Sequence, residues 1–310
     1  MTRAWARNAI RGSGVHLRSS AFICGLLLFC IASATAAPIS LKDDLGRTVE
    51  MKEPARRIVT LAPALTELVF TAGGGDRVVG ASAYSDYPPE AKKLPQVSSA
   101  MSWSLEEIAS LKPDLVLAWH DNMRTEDVSR LSAFGIAVYV AESRNFDDVP
   151  RTLQAIGTLL GRDTSPAIRA YRDKLERLRA QYAGKPQVTA LLEIWHNPLT
   201  TIAGHHFMNE ALEICGARNV FADLSGVAPI VSWEEVFFRD PDVIVGISSA
   251  ASEKEFRASW KERPTLRAVS QGHLVYADAD RLQRLTARTP DGVASLCAAI
   301  DRVRPNAPGR

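Results

Sequence analysis

Apolar and polar positions along this chain follow two periods, and the switches between them mark out the elements. Arg57-Ile58-Val59-Thr60-Leu61 is a short run rich in β-branched residues that predicts a buried strand. Ala64–Ala72 carries apolar residues at helical spacing and is stopped by Gly73-Gly74-Gly75. Val78–Ala81 predicts a second strand, and the Pro-rich stretch Tyr84–Pro95 an irregular loop. A helix over Glu126–Phe134, a strand over Ala137–Val140 and a helix over Asp147–Leu160 complete one set. Ile39–Val49, ahead of it, predicts a short strand pair at the edge. From 165 to 183 the pattern changes. Ser165 suits an N-cap and Pro166 the first helical position. Ile168, Tyr171, Leu175 and Leu178 then recur at helical spacing until Gly184 and Pro186. A second alternating set follows: strand Val188–Trp195, helix Met208–Cys215, helix Glu253–Lys261, strand His273–Tyr276 and helix Pro290–Val303.

Strands alternating with helices imply parallel sheets covered on both faces. The expected fold class is α/β: two Rossmann-like lobes with central, mostly parallel sheets, bridged by one long rigid α-helix. Residues 37–162 form the first lobe, 163–184 the bridge, 185–304 the second lobe and 305–310 a frayed tail. Nothing in the bridge is rich in Gly or Ser, as a flexible linker would be.

One motif occurs twice. Ser104-Leu105-Glu106-Glu107-Ile108 leads through Pro113-Asp114 into Leu115-Val116-Leu117. Ser232-Trp233-Glu234-Glu235-Val236 leads through Pro241-Asp242 into Val243-Ile244-Val245. The offset is 128 residues throughout (232 less 104, 241 less 113). Each copy reads as a short helix, a Pro-Asp turn and a buried strand. Ser104 with Glu107, and Ser232 with Glu235, have capping-box spacing. That leaves Glu106 and Glu234 free to point outward, one per lobe, as matched contacts for a symmetric partner. Taken singly, either acid is an ordinary first-turn residue compensating the helix dipole.

The N-terminal segment stands apart. Arg3, Arg7, Arg11 and Arg18 precede an apolar run from Ala21 to Ala32, with no acid before Asp43. Ala34-Thr35-Ala36 then supplies small residues in the A-x-A arrangement. This is the pattern of a secretory signal peptide, residues 1–36, cut after Ala36. Without it the whole-chain charge of +2 becomes about −2, with 33 basic (37 less 4) against 35 acidic residues. A slight negative balance with no basic stripe excludes a nucleic-acid partner. Of the four cysteines only Cys215 and Cys297 remain in the mature chain. In an exported protein two cysteines read as one disulfide, against two separate buried thiols.

No HExxH, G-x-S-x-G, P-loop or G-x-G-x-x-G signature occurs. His205-His206, and the pair His120 and His196, are conceivable metal ligands, but their spacing matches no closed site. Tyr84, Trp119 and Trp195 each fall at or just after a strand end. In open α/β sheets ligands bind outside the carboxyl ends of the strands. Aromatics there suit a large planar ligand. Asp280 and Arg284, spaced by four after the last strand, offer a donor and an acceptor if they face a cleft. Otherwise they form an exposed helical pair.

Arg57–Leu68, the loop Tyr84-Ser85-Asp86-Tyr87-Pro88-Pro89-Glu90-Ala91 and Leu111–Val116 resemble the periplasmic cobalamin-binding proteins of vitamin B12 ABC importers. The first and last segments are shared with a wider class that carries siderophores and haem. The Tyr-Ser-Asp-Tyr-Pro-Pro loop points to the corrinoid branch. The resemblance implies cobalamin or a related corrinoid held between the lobes by Tyr84, Trp119, Asp280 and Arg284. It implies docking of Glu106 and Glu234 onto the two subunits of a transmembrane permease dimer. It also implies a Cys215–Cys297 disulfide, a periplasmic location, little hinge closure, a monomer, and no metal, cofactor or enzymatic chemistry. Two further family tryptophans fall here near Ala100 and Ala228, with Trp103 and Trp233 close by. A haem or ferric-siderophore carrier, or an exported metal-dependent enzyme, are the alternatives.

Overall fold

The computed structural model describes residues 38–98, 103–247 and 252–304, with the backbone alone at Ser98 and Asn122. The signal segment, Ala100 and the 305–310 tail lie outside the described residues. The described residues belong to one compact unit, Ala36–Arg310.

An antiparallel hairpin opens the chain, β1 (Ile39–Lys42) against β2 (Thr48–Met51), with Ile39 opposite Met51. The first lobe then alternates β3 (Ile58–Thr60), α1 (Pro63–Thr71), β4 (Val78–Ser82), β5 (Gln96–Ser98), α2 (Leu105–Ser110), β6 (Leu115–Trp119), α3 (Thr125–Ala133), β7 (Ala137–Ala141) and α4 (Asp148–Leu160). Its sheet runs β5-β4-β3-β6-β7, all parallel. The bridge α5 (Ser165–Tyr182) follows. The second lobe contains β8 (Val188–Trp195), β9 (Thr200–Thr201), α6 (Phe207–Ile214), β10 (Ala217–Asn219), α7 (Trp233–Arg239), β11 (Val243–Gly246), α8 (Glu253–Trp260), α9 (Arg267–Ser270), β12 (Leu274–Tyr276), α10 (Ala279–Leu282) and α11 (Thr289–Val303). Its parallel sheet runs β10-β8-β11-β12, and β9 pairs antiparallel with β8. Sequence periodicity misses β5, β9, β10, α9 and α10, which are too short to carry a period.

The two sheets share one plan. β3 and β8 are central, β6 and β11 lie beside them, and β7 and β12 come next outward. The repeated motif fills the same place in both. The Asp114 carboxylate accepts the Arg56 and Arg57 N–H groups at 2.8 and 3.1 Å, where β3 begins. The Asp242 carboxylate accepts the Thr189 N–H and hydroxyl, both at 2.7 Å, at the start of β8. Lys112 (φ 47°) and Asp240 (φ 35°), again 128 residues apart, both take the left-handed conformation that lets the chain reverse into the Pro-Asp turn. Ser104 and Ser232 cap α2 and α7 by accepting the Glu107 and Glu235 N–H groups at 3.1 and 3.2 Å. Only this half of the expected boxes forms. Glu235 bonds Arg239 instead, at 2.7 Å. The reciprocal box stands at Ser252 and Glu255 of α8.

α5, at 1.5 Å per residue, is about 27 Å long. Its N-cap is Thr164 rather than Ser165, which moves Pro166 to the second position. Tyr171, Leu175, Leu178 and Tyr182 are buried, and α5 contacts α4 of the first lobe and α6 and α11 of the second. These side chains belong to one apolar cluster that runs from Leu65 and Tyr139 through α5 to Met208 and Leu296. Each lobe has a further cluster on its outer face. The bridge is therefore packed into the core of both lobes, as a strut. Cys215, at the end of α6, and Cys297, in α11, are disulfide-bonded. Among the described residues no helix is long and apolar enough to cross a membrane.

Candidate functional site

A cavity of about 560 Å³ opens between the lobes, in the size range of small-ligand sites. Its first-lobe wall comes from residues just past strand ends: Ala62 and Pro63 after β3, Trp119 closing β6, Asp121, and Glu142 to Arg144 after β7. The second-lobe wall is His205, His206 and Phe207 at the head of α6, Val227, and Gln283 to Leu285 after α10. The site thus lies at the carboxyl edges, where open parallel sheets leave a crevice. A larger depression, about 850 Å³, is lined by β2, Asp114 and the start of β7. It lies at the opposite, amino edge of the first sheet and contains no aromatic residue, so the inter-lobe cavity is the better site.

Of the four residues expected at the ligand, the cavity wall contains Trp119 and Arg284. Tyr84 stands past the end of β4, 67% exposed, with a left-handed backbone (φ 62°) that is costly for a bulky side chain. A chain of hydroxyls beneath it holds this conformation. Ser85 bonds Thr66 at 2.9 Å, and Thr66 bonds Thr60 at 2.7 Å, all buried. Asp280 lies 3.0 Å from Arg284 as the i,i+4 pair, half-exposed. Trp195 is outside the cavity wall, its indole N–H bonded to the Asn197 carbonyl. Trp103 and Trp233 pack on the outer-face cores of their lobes rather than on the cavity. The rim near exposed Ala228 is occupied by Val227.

The sequence reading missed what ties the lobes together across the site. Arg288 donates to both oxygens of Glu67, at 2.6 and 2.8 Å, and lies 3.7 Å over the Tyr87 ring. Arg284 bonds Asp86 at 2.8 Å and approaches Glu67 at 3.5 Å. Burial opposes the Asp86 charge, but the Arg284 bond and charge outweigh it and hold that carboxyl below its usual range. The Tyr-Ser-Asp-Tyr loop is therefore a cross-lobe contact as well as a rim. A signal was present: Glu67 is the one charged residue of α1 and lies among its apolar positions, where a lone acid needs a partner.

The histidines divide. His206 caps α6, its Nδ1 accepting the Met208 N–H at 3.1 Å, which leaves the proton on Nε2. Burial lowers its pKa. His205 is exposed on the cavity wall. The loop carrying it approaches closely at Gly204, where a Cβ would sit 2.2 Å from the Ala222 carbonyl oxygen. His120, Asp121 and Glu142 offer ligand atoms within 4.8 Å of one another, enough for a cation, but Glu142 is already bonded to Arg144 at 2.5 Å. His196 lies elsewhere, against Trp233 and Trp260, with Glu193 at 3.3 Å. His120 and His196 thus belong to separate surroundings.

Glu106 and Glu234 occupy the second positions of α2 and α7, both exposed. Glu106 accepts the Ser104 hydroxyl at 3.1 Å. Neither carboxylate has a cation partner among the described residues.

Two mainly parallel lobes, one bridging helix and a cavity at the strand ends define a solute-binding protein of the helical-bridge type. The family model described as periplasmic binding protein matches residues 58–281, and the chain belongs to that family. It is 32% identical over 249 residues to a vitamin B12-binding protein of Vibrio cholerae, covering 80% of this chain and 90% of that one. The crystal structure of the periplasmic vitamin B12 binding protein of Vibrio cholerae superposes with a TM-score of 0.72 at 31% identity, over 82% of this chain and 99% of that one. A periplasmic haem-binding protein of Pseudomonas aeruginosa, 23% identical with a TM-score of 0.68 over 79% of this chain and 92% of that one, shares the fold.

Proposed function

We propose that the mature chain captures cobalamin or a closely related corrinoid in the inter-lobe cavity and delivers it to the permease dimer of an ABC importer. The observation that carries this is the cavity itself, open at the carboxyl edges of both sheets and flanked by Trp119 on one lobe and Arg284 on the other. The vitamin B12-binding relatives support the ligand class. Trp119 packs on the corrin, Tyr84 closes over it from the rim, and Asp280 and Arg284 bond its peripheral amides. Cobalt keeps its own axial ligands, so the chain holds no resident cofactor and performs no bond chemistry. Export removes residues 1–36, and the protein works in the periplasm as a monomer of two lobes, 37–162 and 185–304, joined by 163–184. Glu106 and Glu234 make charge-assisted contacts with one cation on each permease subunit.

Calorimetric titration with cyanocobalamin tests the ligand. Saturable one-to-one binding is expected, and its absence refutes the corrinoid reading. A haem carrier is the second reading, favoured by one observation, the exposed His205 imidazole on the cavity wall. Its mark is a Soret band that sharpens on adding haem, with no heat from cyanocobalamin. Glu106→Ala with Glu234→Ala is expected to abolish transport while cyanocobalamin affinity stays within about twofold.

A further inference from the structure

Beside each of the two outward carboxylates the surface carries an exposed phenyl ring. Phe134 ends α3 and is 68% exposed. It shares a shallow depression of about 380 Å³ with Glu106, Leu105, Ala109, Arg130 and Ala133, between α2 and α3. On the other lobe Phe238 is 90% exposed and stands four residues after Glu234 on α7, so both project from one helix face. Phe237 beside it is 42% exposed. Single exposed apolar residues are normal on a surface. The exposed phenylalanines, unlike the other exposed apolar residues, are not scattered: Phe134, Phe237 and Phe238 are the ones exposed among the described residues, and all of them lie in the two glutamate patches.

The rings do not follow from the repeat. The position equivalent to Phe238 in the first copy is Ser110 (238 less 128), and the first lobe takes its ring from the next helix instead. Inheritance of one motif would place the same residue at the same offset. Different elements supplying the same acid-and-phenyl pair indicate that the surface, rather than the local fold, calls for it.

We propose that each lobe presents a two-part anchor, Glu106 with Phe134 and Glu234 with Phe238, that seats on a partner offering a cation beside an apolar pocket once per subunit. The occupant is the membrane-embedded permease dimer, so the inference rests on the reading above. Charge complementarity identifies it: the carboxylates lack a cation partner among the described residues, and a two-fold dimer supplies two equivalent ones. The carboxylates steer the encounter and set its salt dependence, while the rings slow release by leaving water on contact.

The test uses the full mature protein and a purified corrinoid importer, permease dimer with its ATPase subunits, in lipid nanodiscs. Phe134→Ser and Phe238→Ser are surface changes that leave cyanocobalamin titration unaltered. Each is expected to weaken docking roughly tenfold through faster dissociation, with the salt dependence of association retained. Glu106→Ala with Glu234→Ala should instead flatten that salt dependence. If the phenylalanine variants dock within twofold of the wild type while the glutamate pair matters, the anchors are refuted and the docking reading stands. If the glutamate pair is also silent, the docking reading itself fails. If the wild type self-associates in sedimentation and Phe238→Ser abolishes this, the patch is a contact between two copies of the chain and the proposal is overturned.

Discussion

Removing the Glu67 carboxylate is expected to loosen the whole molecule. Its side chain is 3% exposed and receives two bonds from Arg288 and a longer approach from Arg284. Both guanidiniums are mostly buried, so Glu67→Ala strands charge inside the cross-lobe contact. Deleting one member of a buried ion pair costs about 3–5 kcal/mol. Arg284 keeps Asp86 and Asp280, and Arg288 keeps the Tyr87 face, which places the cost at the low end, about 3 kcal/mol. At an unfolding entropy of about 2.1 cal/mol/K per residue, a chain of this size loses about 5 °C in Tm. Because one apolar cluster runs through both lobes, the loss should appear as a single shifted transition. Urea unfolding followed by far-UV circular dichroism reads it as a lower midpoint at unchanged slope. Replacing both members, Glu67→Leu with Arg288→Leu, should recover most of the loss, since an apolar pair leaves no charge unpaired. A Glu67→Ala protein within about 0.5 kcal/mol of the wild type would show that water, not the ion pair, satisfies these arginines.

Glu193 is buried, accepts the indole N–H of Trp260 at the end of α8, and burial pushes its carboxyl up to about 7 from 4.5. Between those values the folded state holds a proton that the unfolded state has released. Its contribution is therefore full below about pH 4.5 and is lost, at about 1.4 kcal/mol per unit, as pH rises to about 7. His196 and His206, lowered by burial, act in the opposite sense, so the quantity to measure is the difference between wild type and Glu193→Gln. The variant should gain stability relative to wild type on going from pH 5 to pH 8, and a flat difference rules out a buried proton. Replacing Cys215 and Cys297 together by Ala opens a loop of 82 residues, worth about 4.5 kcal/mol of chain entropy, and a loss below about 1 kcal/mol in urea unfolding would contradict that account. Trp119→Ala should weaken cyanocobalamin binding by about 2 kcal/mol, roughly thirtyfold, with Tm nearly unchanged, and calorimetry showing wild-type affinity would remove Trp119 from the site.

Much of this protein is legible in its sequence because the governing interactions are local or repeated. β-branched runs and helical stripes placed the longer strands and helices of both lobes, and α5 emerged from its own Tyr171, Leu175 and Leu178 stripe. The 128-residue repeat announced two lobes on one plan. The structure extends it to Asp114 and Asp242 bonding the central strands, and to matched left-handed residues before each turn. Caps were less readable. Glu107 and Glu235 have the right spacing for a reciprocal box, yet in α7 a nearby Arg239 competes for the carboxylate and wins.

What the sequence alone determined is whatever depends on neighbours along the chain: the elements, their order, the parallel α/β class and the outward acid of each repeat. Only the tertiary structure decided which side chains meet across the cleft. Glu67 and Arg288 are 221 residues apart, and so is the logic that joins them. Arg284 was legible as a candidate donor, but not as a residue already held by carboxylates of the opposite lobe. The reason is that a charge pair between lobes has no period, propensity or spacing. It exists only because packing of α5 brings two strand-end edges face to face, and the burial of Glu67 there makes a pairing obligatory that would be optional on the surface.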